Sequence, residues 1–244
     1  MNHSIQAIFL DVGNTIRIVI KDEEFSEKAK KDLMNLVGAT EPEEVFFLGL
    51  EERWKAYRNQ SKKTLLEASE RELWSKWLLP QYPTEKIAPL AGKLTRLWRD
   101  HDGRRVPRSD AKDVILELSR RGYILGIIAN TITETEIPDW IESDGLTGIF
   151  KTVVLSSKVA IRKPNPKIYL DAARNINVAP ENCVYVGDNP VRDVEGTQAA
   201  GFGMSIIIIE PDTLKKEPPS GDVKPDFMIN NLSELLDIFP PLAS

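Results

Sequence analysis

Apolar residues along the chain gather into short blocks separated by longer amphipathic stretches. Five blocks read as buried strands, at residues 5–10, 123–129, 152–155, 183–186 and 204–209, and a weaker sixth lies at Phe227–Ile229. Several run without polar alternation, which is the pattern of a strand covered on both faces, as in a parallel sheet. Helical spacing fills most of the gaps. Ala111, Val114, Ile115 and Leu118 share one face, and Gly122 follows as a stop signal. Pro166 opens another helix with Asn165 placed to cap it, and Asn231 with Glu234 has the form of a cap before a last one. Strands and helices in alternation predict a doubly wound α/β core with right-handed crossovers.

The first crossover is anomalous. The first strand ends at Asp11, yet the next clear strand begins only near Tyr123, far more chain than one crossover helix requires. The intervening residues carry helical stripes. Phe25, Ala29, Leu33 and Leu36 form one; Phe46, Leu50, Trp54 and Tyr57 a second; Leu66, Leu73 and Trp77 a third; Ile87, Leu90, Leu94 and Leu97 a fourth. The expected organisation is an α/β core from residues 1–17 and 105–244, with residues 18–104 inserted as a small helical domain. Four of the five tryptophans, Trp54, Trp74, Trp77 and Trp98, fall in that insert. At helical spacing they read as bundle core before they read as a substrate wall.

Composition narrows the functional classes. The 244 residues carry a formal net charge of −5, which argues against a general nucleic-acid binder, since such proteins present a basic face. The single cysteine, Cys183, forbids an internal disulfide and sits in an apolar block, so it reads as core. There is no secretory leader pattern and no apolar run near the length of a membrane span, so the expected location is the cytoplasm, with no membrane partner. His3 and His101 are too far apart in the chain, and too poorly supplied with partners, to suggest zinc. Gly201-Phe202-Gly203 follows a helix and precedes a strand, the wrong order for dinucleotide binding.

Candidate chemistry lies where strands end, because open α/β sheets bind ligands beyond the carboxyl ends of their strands. Strand one runs into Asp11-Val12-Gly13-Asn14-Thr15, strand two into Ala129-Asn130-Thr131, and the fourth into Gly187-Asp188-Asn189-Pro190 with Asp193 following. Lys163-Pro164 precedes the helix that Pro166 opens. Singly, each has a plain structural alternative: Asp11 closing a turn, Asp188 capping a helix, Lys163 solvated in a loop. Together they place three carboxylates and a lysine at one edge. Clustered carboxylates repel unless a cation joins them, and an oxygen-rich set suits Mg²⁺. A metal, a lysine and a helix start are what a phosphoryl group requires, because its transfer is mostly positioning and charge neutralisation.

The order FLDVGNTI, IIAN, KPNP and VGDNPVRD resembles the haloacid dehalogenase-like (HAD) hydrolase superfamily, most of whose members are phosphatases. The insert after the first motif is similar to that family's helical cap subclass. The resemblance implies a Rossmann-like core, a small phosphorylated substrate and Mg²⁺. It also implies roles. Asp11 would be the nucleophile and form an aspartyl-phosphate. Asp11, Asp188 and the backbone carbonyl of Gly13 would bind the metal, with Asp193 in support. Lys163 would orient Asp11 and neutralise the phosphoryl group, and Asn130 would hold the second loop beside the phosphate.

Two positions depart from the phosphatase pattern. Gly13 stands where a second aspartate acts as general acid, and Ala129 where a hydroxyl donates to the phosphoryl group. A positioned general acid is worth ~10²–10⁴-fold, or roughly 3–5 kcal/mol of barrier. Thr131, Thr15 or a residue of the helical insert are the candidates to compensate. Three readings therefore stand: a weak or specialised phosphatase, a non-catalytic phosphoryl-binding or regulatory protein, and a dehalogenase-like hydrolase. Retention of Asp188 and Asp193 speaks against the last.

Overall fold

The computed structural model describes residues 4–218 and 224–242; His3 lies outside them. Six parallel strands form the central sheet in the order β5-β4-β1-β6-β7-β8. These are β1 (Ala7–Leu10), β4 (Ile124–Ala129), β5 (Phe150–Leu155), β6 (Cys183–Gly187), β7 (Met204–Ile208) and β8 (Phe227–Ile229). The absence of alternation has the expected cause. Ile8 and Leu10 pack into the core on one face, with Val114, Leu118 and Leu235, while Ala7 and Phe9 pack into the core on the other, with Ile168, Tyr169 and Phe202. The central strand β1 is flanked by β4 and β6, and the chain builds outward to one side and then the other. The crevice at that reversal lies beyond the end of β1, where Asp11 stands. Cys183 is buried in the sheet, and burial pushes its thiol up to about 12.

Two strands were not legible in the apolar pattern. β2 (Arg17–Ile20) and β3 (Arg104–Pro107) pair antiparallel, Ile18 opposite Val106. Both are four residues long and partly exposed, so neither shows a burial signature. This ribbon is the stem from which the helical segment leaves the sheet and returns to it.

The helices of that segment span Glu23–Val37, Glu43–Thr64, Glu70–Glu72 with a continuing π-helical stretch Leu73–Leu78, Thr84–Ile87 and Ala91–Asp100. Asp22 caps the first by accepting the Phe25 N–H, and Gly38 ends it in the left-handed region. Their shared core includes Leu33, Leu50, Leu73, Trp74, Ile87 and Leu94. Leu66 departs from its expected stripe and is exposed, because the Glu43–Thr64 helix has already ended before it. Trp74 is fully buried, with its indole N–H donating to Thr95 Oγ1 at 2.8 Å. The segment is tied to the loop after β4 by Ile132, which joins the helical core, and by a reciprocal clasp. Glu70 N–H donates to Glu134 at 3.0 Å and Glu134 N–H to Glu70 at 2.9 Å.

Candidate active site

Asp11 is placed by the sheet itself, its N–H donating to Val186 O at 2.8 Å beside the end of β6. The chain then turns tightly. Asn14 adopts φ 57°, a left-handed conformation that asparagine tolerates better than most residues, and Asn14 N–H donates to Arg17 O at 2.7 Å. A Cβ built at Gly13 would meet no heavy atom within 4 Å, so there is room for a side chain to start where the family pattern has an acid.

Asp188 follows β6, and Asp193 lies in the first turn of helix Arg192–Ala199. Gly187 is required for this arrangement: a Cβ there would stand 2.3 Å from Asp193 Oδ2. Asn189 starts the helix, its Oδ1 accepting the N–H groups of Val191 (3.2 Å) and Arg192 (2.7 Å). Asp11, Asp188 and Asp193 each bring a carboxylate oxygen to within 4.8 Å of the others.

Lys163 reaches this cluster fully buried. Its Nζ is 3.0 Å from Asp11 Oδ2 and 3.1 Å from Asp193 Oδ1, and it also donates to the Tyr185 hydroxyl. Tyr185 in turn donates to Ile128 O at 2.9 Å, so the phenol is a strut between lysine and sheet. Asn130 spends both ends of its amide on the Lys163 backbone. Its Oδ1 accepts the Lys163 N–H at 2.8 Å and its Nδ2 donates to the Lys163 carbonyl at 3.0 Å. The geometry thus gives Asn130 the task of holding the lysine loop, while the second N–H of its amide is not used by these two bonds. Of the hydroxyls expected to compensate for Ala129, Thr131 accepts the Thr133 N–H within its own loop, and Thr15 Oγ1 is buried with no hydrogen-bond partner among the described residues.

Electrostatics separates the three carboxylates. Burial raises Asp11, and although the Lys163 ammonium opposes it, the carboxyl ends near 6. Burial likewise raises Asp188, which accepts from Thr213 Oγ1 at 2.7 Å. Burial also works against a charge on Asp193, but Arg192 and Lys163 outweigh it and hold that carboxyl down to about 2. Carboxylates kept close in a dry site are held by the cations among them.

Three contributors escaped sequence reasoning. Arg192 contacts all three carboxylates. Its signal was present, as a basic residue inside the acidic VGDNPVRD segment. Tyr185 showed as a phenol in an otherwise apolar strand. Thr213 lies in the remote helix Pro211–Lys216 and gave no signal.

Above the cluster, a cleft of about 230 Å³ opens between the core and the helical segment, its wall including Trp54, Arg58, Trp98, Arg105, Arg162 and Arg192. Trp54 and Trp98 thus serve both as packing and as lining, as the ring of Trp54 stands edge-on to Trp98. The Arg58 guanidinium lies 5.6 Å from the Trp54 ring centre, while Arg162 is paired with buried Glu67 at 3.6 Å.

A family model described as haloacid dehalogenase-like hydrolase matches residues 49–207. The chain belongs to that family. The matched span holds Asn130, Lys163, Asp188 and Asp193 but begins after Asp11. Among curated relatives, the glyceraldehyde 3-phosphate phosphatase of Methanopyrus kandleri is 34% identical over 137 residues, 56% of this chain and 58% of that protein. The phosphoserine phosphatase of Thermus thermophilus is 29% identical over 126 residues, 52% of this chain and 48% of that one. The chain therefore spans about half the length of these relatives. The 2-haloacid dehalogenase from Pseudomonas syringae superposes over 96% of this chain and 97% of its own, with a TM-score of 0.69 at 20% identity. A HAD phosphatase from Thermococcus onnurineus does so over 97% and 99%, with a TM-score of 0.60 at 24% identity. These last two likenesses speak for the fold. Among the described residues no helix is long and apolar enough to cross a membrane.

Proposed function

We propose that this protein is a phosphohydrolase acting on a small phosphorylated molecule, with Asp11 as nucleophile. The observation that carries the reading is the ion pair of Lys163 with Asp11, 3.0 Å long and buried among Asp188 and Asp193 at the crevice of the sheet. Lys163 holds Asp11 by its Oδ2, while Oδ1 accepts the Val12 N–H at 2.8 Å, so the carboxylate is fixed from both ends. Asp11 attacks phosphorus, the ester P–O bond breaks, and the alcohol departs. Water then attacks phosphorus in the aspartyl-phosphate, and the Asp11 carboxylate is released with inorganic phosphate. With glycine at position 13, the departing alcohol takes its proton from solvent. Substrates whose leaving groups need little protonation, such as aryl and acyl phosphates, are favoured.

An all-oxygen set from Asp11, Asp188 and the Gly13 carbonyl, with Asp193 behind, fits Mg²⁺ in donor chemistry. When bound, the ion would neutralise phosphoryl charge. We further propose that the helical segment between β2 and β3 acts as a cap that selects the substrate. The cleft beneath it is lined by Arg58, Arg105 and Arg162, which suits a substrate bearing a second anionic group beside the phosphoryl.

The test is phosphate release from 4-nitrophenyl phosphate and a panel of phosphorylated acids, with and without Mg²⁺. Magnesium-dependent release that disappears in Asp11→Asn is expected, with a lower KM for phosphorylated acids than for 4-nitrophenyl phosphate. Halide release from 2-haloacids in chelator, or ligand binding without turnover at any metal concentration, would overturn the reading.

A further inference from the structure

Arg192 stands where the three carboxylates meet. Its Nη2 is 3.3 Å from Asp11 Oδ2, 3.4 Å from Asp188 Oδ1 and 3.2 Å from Asp193 Oδ2, and its Nε is 2.9 Å from Asp193 Oδ1. One positively charged nitrogen shared among three carboxylates is the arrangement of a bound cation, here delivered on a side chain. The oxygens it takes from Asp11 and Asp188 belong to the two carboxylates that would ligate a divalent ion. Magnesium needs such oxygens at about 2.0–2.1 Å in near-octahedral order, so ion and guanidinium compete for the same space and the same charge.

Charge counting agrees. The cluster holds three carboxylates against the two cations Lys163 and Arg192. Adding a divalent ion with Arg192 in place leaves the buried site net positive, whereas exchanging Arg192 for the ion leaves it neutral. Arginine does not lose its charge near neutral pH, so only movement can remove it. The backbone at Arg192 is pinned by Asn189, but the side chain keeps 27% of its surface open and forms part of the cleft wall. It therefore has somewhere to go, and an anion arriving in the cleft gives it a partner there.

We propose that Arg192 is a tethered cation occupying the divalent-metal position of this centre, so that metal binds only when the arginine swings out into the cleft, which an incoming phosphoryl anion promotes. The proposal rests on the reading of Asp11, Asp188 and Asp193 as the metal centre.

The experiment is calorimetric titration of the whole protein with Mg²⁺, using wild type, Arg192→Asn and Arg192→Lys, each with and without inorganic phosphate, and melting curves in EDTA and in Mg²⁺. The expected result is Mg²⁺ affinity at least about tenfold higher in Arg192→Asn than in wild type, with Arg192→Lys between them. Inorganic phosphate should tighten Mg²⁺ binding by wild type more than by Arg192→Asn. The asparagine variant should melt lower in EDTA and recover with Mg²⁺, while the wild-type curve barely moves. Equal affinity in wild type and Arg192→Asn overturns the proposal and leaves the metal centre standing. Binding by neither protein overturns both. If Arg192→Asn does not fold, the wild type decides alone: sub-millimolar Mg²⁺ binding without phosphate overturns the proposal, and weak binding strengthened by phosphate supports it.

Discussion

The buried carboxylate cluster, the floor on which Arg192 stands, and the wall of the cleft above it are built by opposite rules. On the floor, Asp11, Lys163, Asp188 and Asp193 are almost wholly buried and stem from the core; Lys163 pairs with Asp11 and Asp193, and Asp188 is held by Arg192 and Thr213. On the wall, Trp54, Arg58 and Trp98 come from the helical segment, and Arg105 from the ribbon that carries it. Arg58 is exposed and rests on an aromatic ring, while Arg105 is only partly open and lies 3.8 Å from the exposed Asp102. Buried charges held by so few partners cannot be changed singly without leaving one stranded. A solvent-exposed wall charge such as Arg58 contributes little alone. The floor is therefore suited to fixed chemistry and the wall to discrimination.

Asp11 is the floor residue whose loss should have the largest effect. Asp11→Asn should cut phosphate release from 4-nitrophenyl phosphate by at least about 10⁴-fold, measured in a protein shown by circular dichroism to remain folded. Loss of only a few-fold would remove Asp11 from the centre of the reading. Next in size is Lys163→Met. It leaves Asp11 and Asp193 buried without their shared ammonium, and should cost about 3–5 kcal/mol of stability, read from urea denaturation. A shift near that of a surface lysine would mean that Arg192 alone balances the floor.

Gly13→Asp should act in the opposite direction. A Cβ there meets nothing within 4 Å, so the variant should fold, and turnover should rise by about 10-fold or more, most for alkyl phosphates. No gain in a folded variant would show that the missing acid is not what limits the reaction. The smallest effect is expected on the wall. Arg58→Ala should raise KM for a phosphorylated acid by roughly fivefold with little change in kcat, and leave aryl phosphate kinetics nearly untouched. Equal loss on both substrates would place Arg58 in the common chemistry.

Much of the floor could be read from sequence because its signals are local. Each carboxylate directly follows an apolar block or falls within one recognisable segment, and Lys163 precedes a helix whose proline and asparagine mark its start. The wall resisted. Helical spacing identified Trp54, Trp74, Trp77 and Trp98 as apolar but not which would face a cleft, and in the structure Trp74 is sealed while Trp54 and Trp98 line it. The ribbon of β2 and β3 was silent, since strands half open to solvent need no apolar pattern. Resemblance places Asn130 beside the phosphate, and only the structure shows that its amide also holds the Lys163 backbone. Such a choice depends on where a distant loop passes.

By itself, then, the chain of residues determined the strands of the sheet, the helical excursion between the first two of them, and the acidic and basic groups available at the strand ends. These follow from periodicity and composition, which act over a few residues. Tertiary structure alone decided how those groups share their charges. Arg192 sits next to Asp193 in the chain, and adjacency says nothing about direction. Only the turn from Asn189 into the helix, set against the ends of β1 and β6, brings that guanidinium among three carboxylates. Where charges are buried, the position of every neighbour sets the energy, and that position is a property of the whole fold.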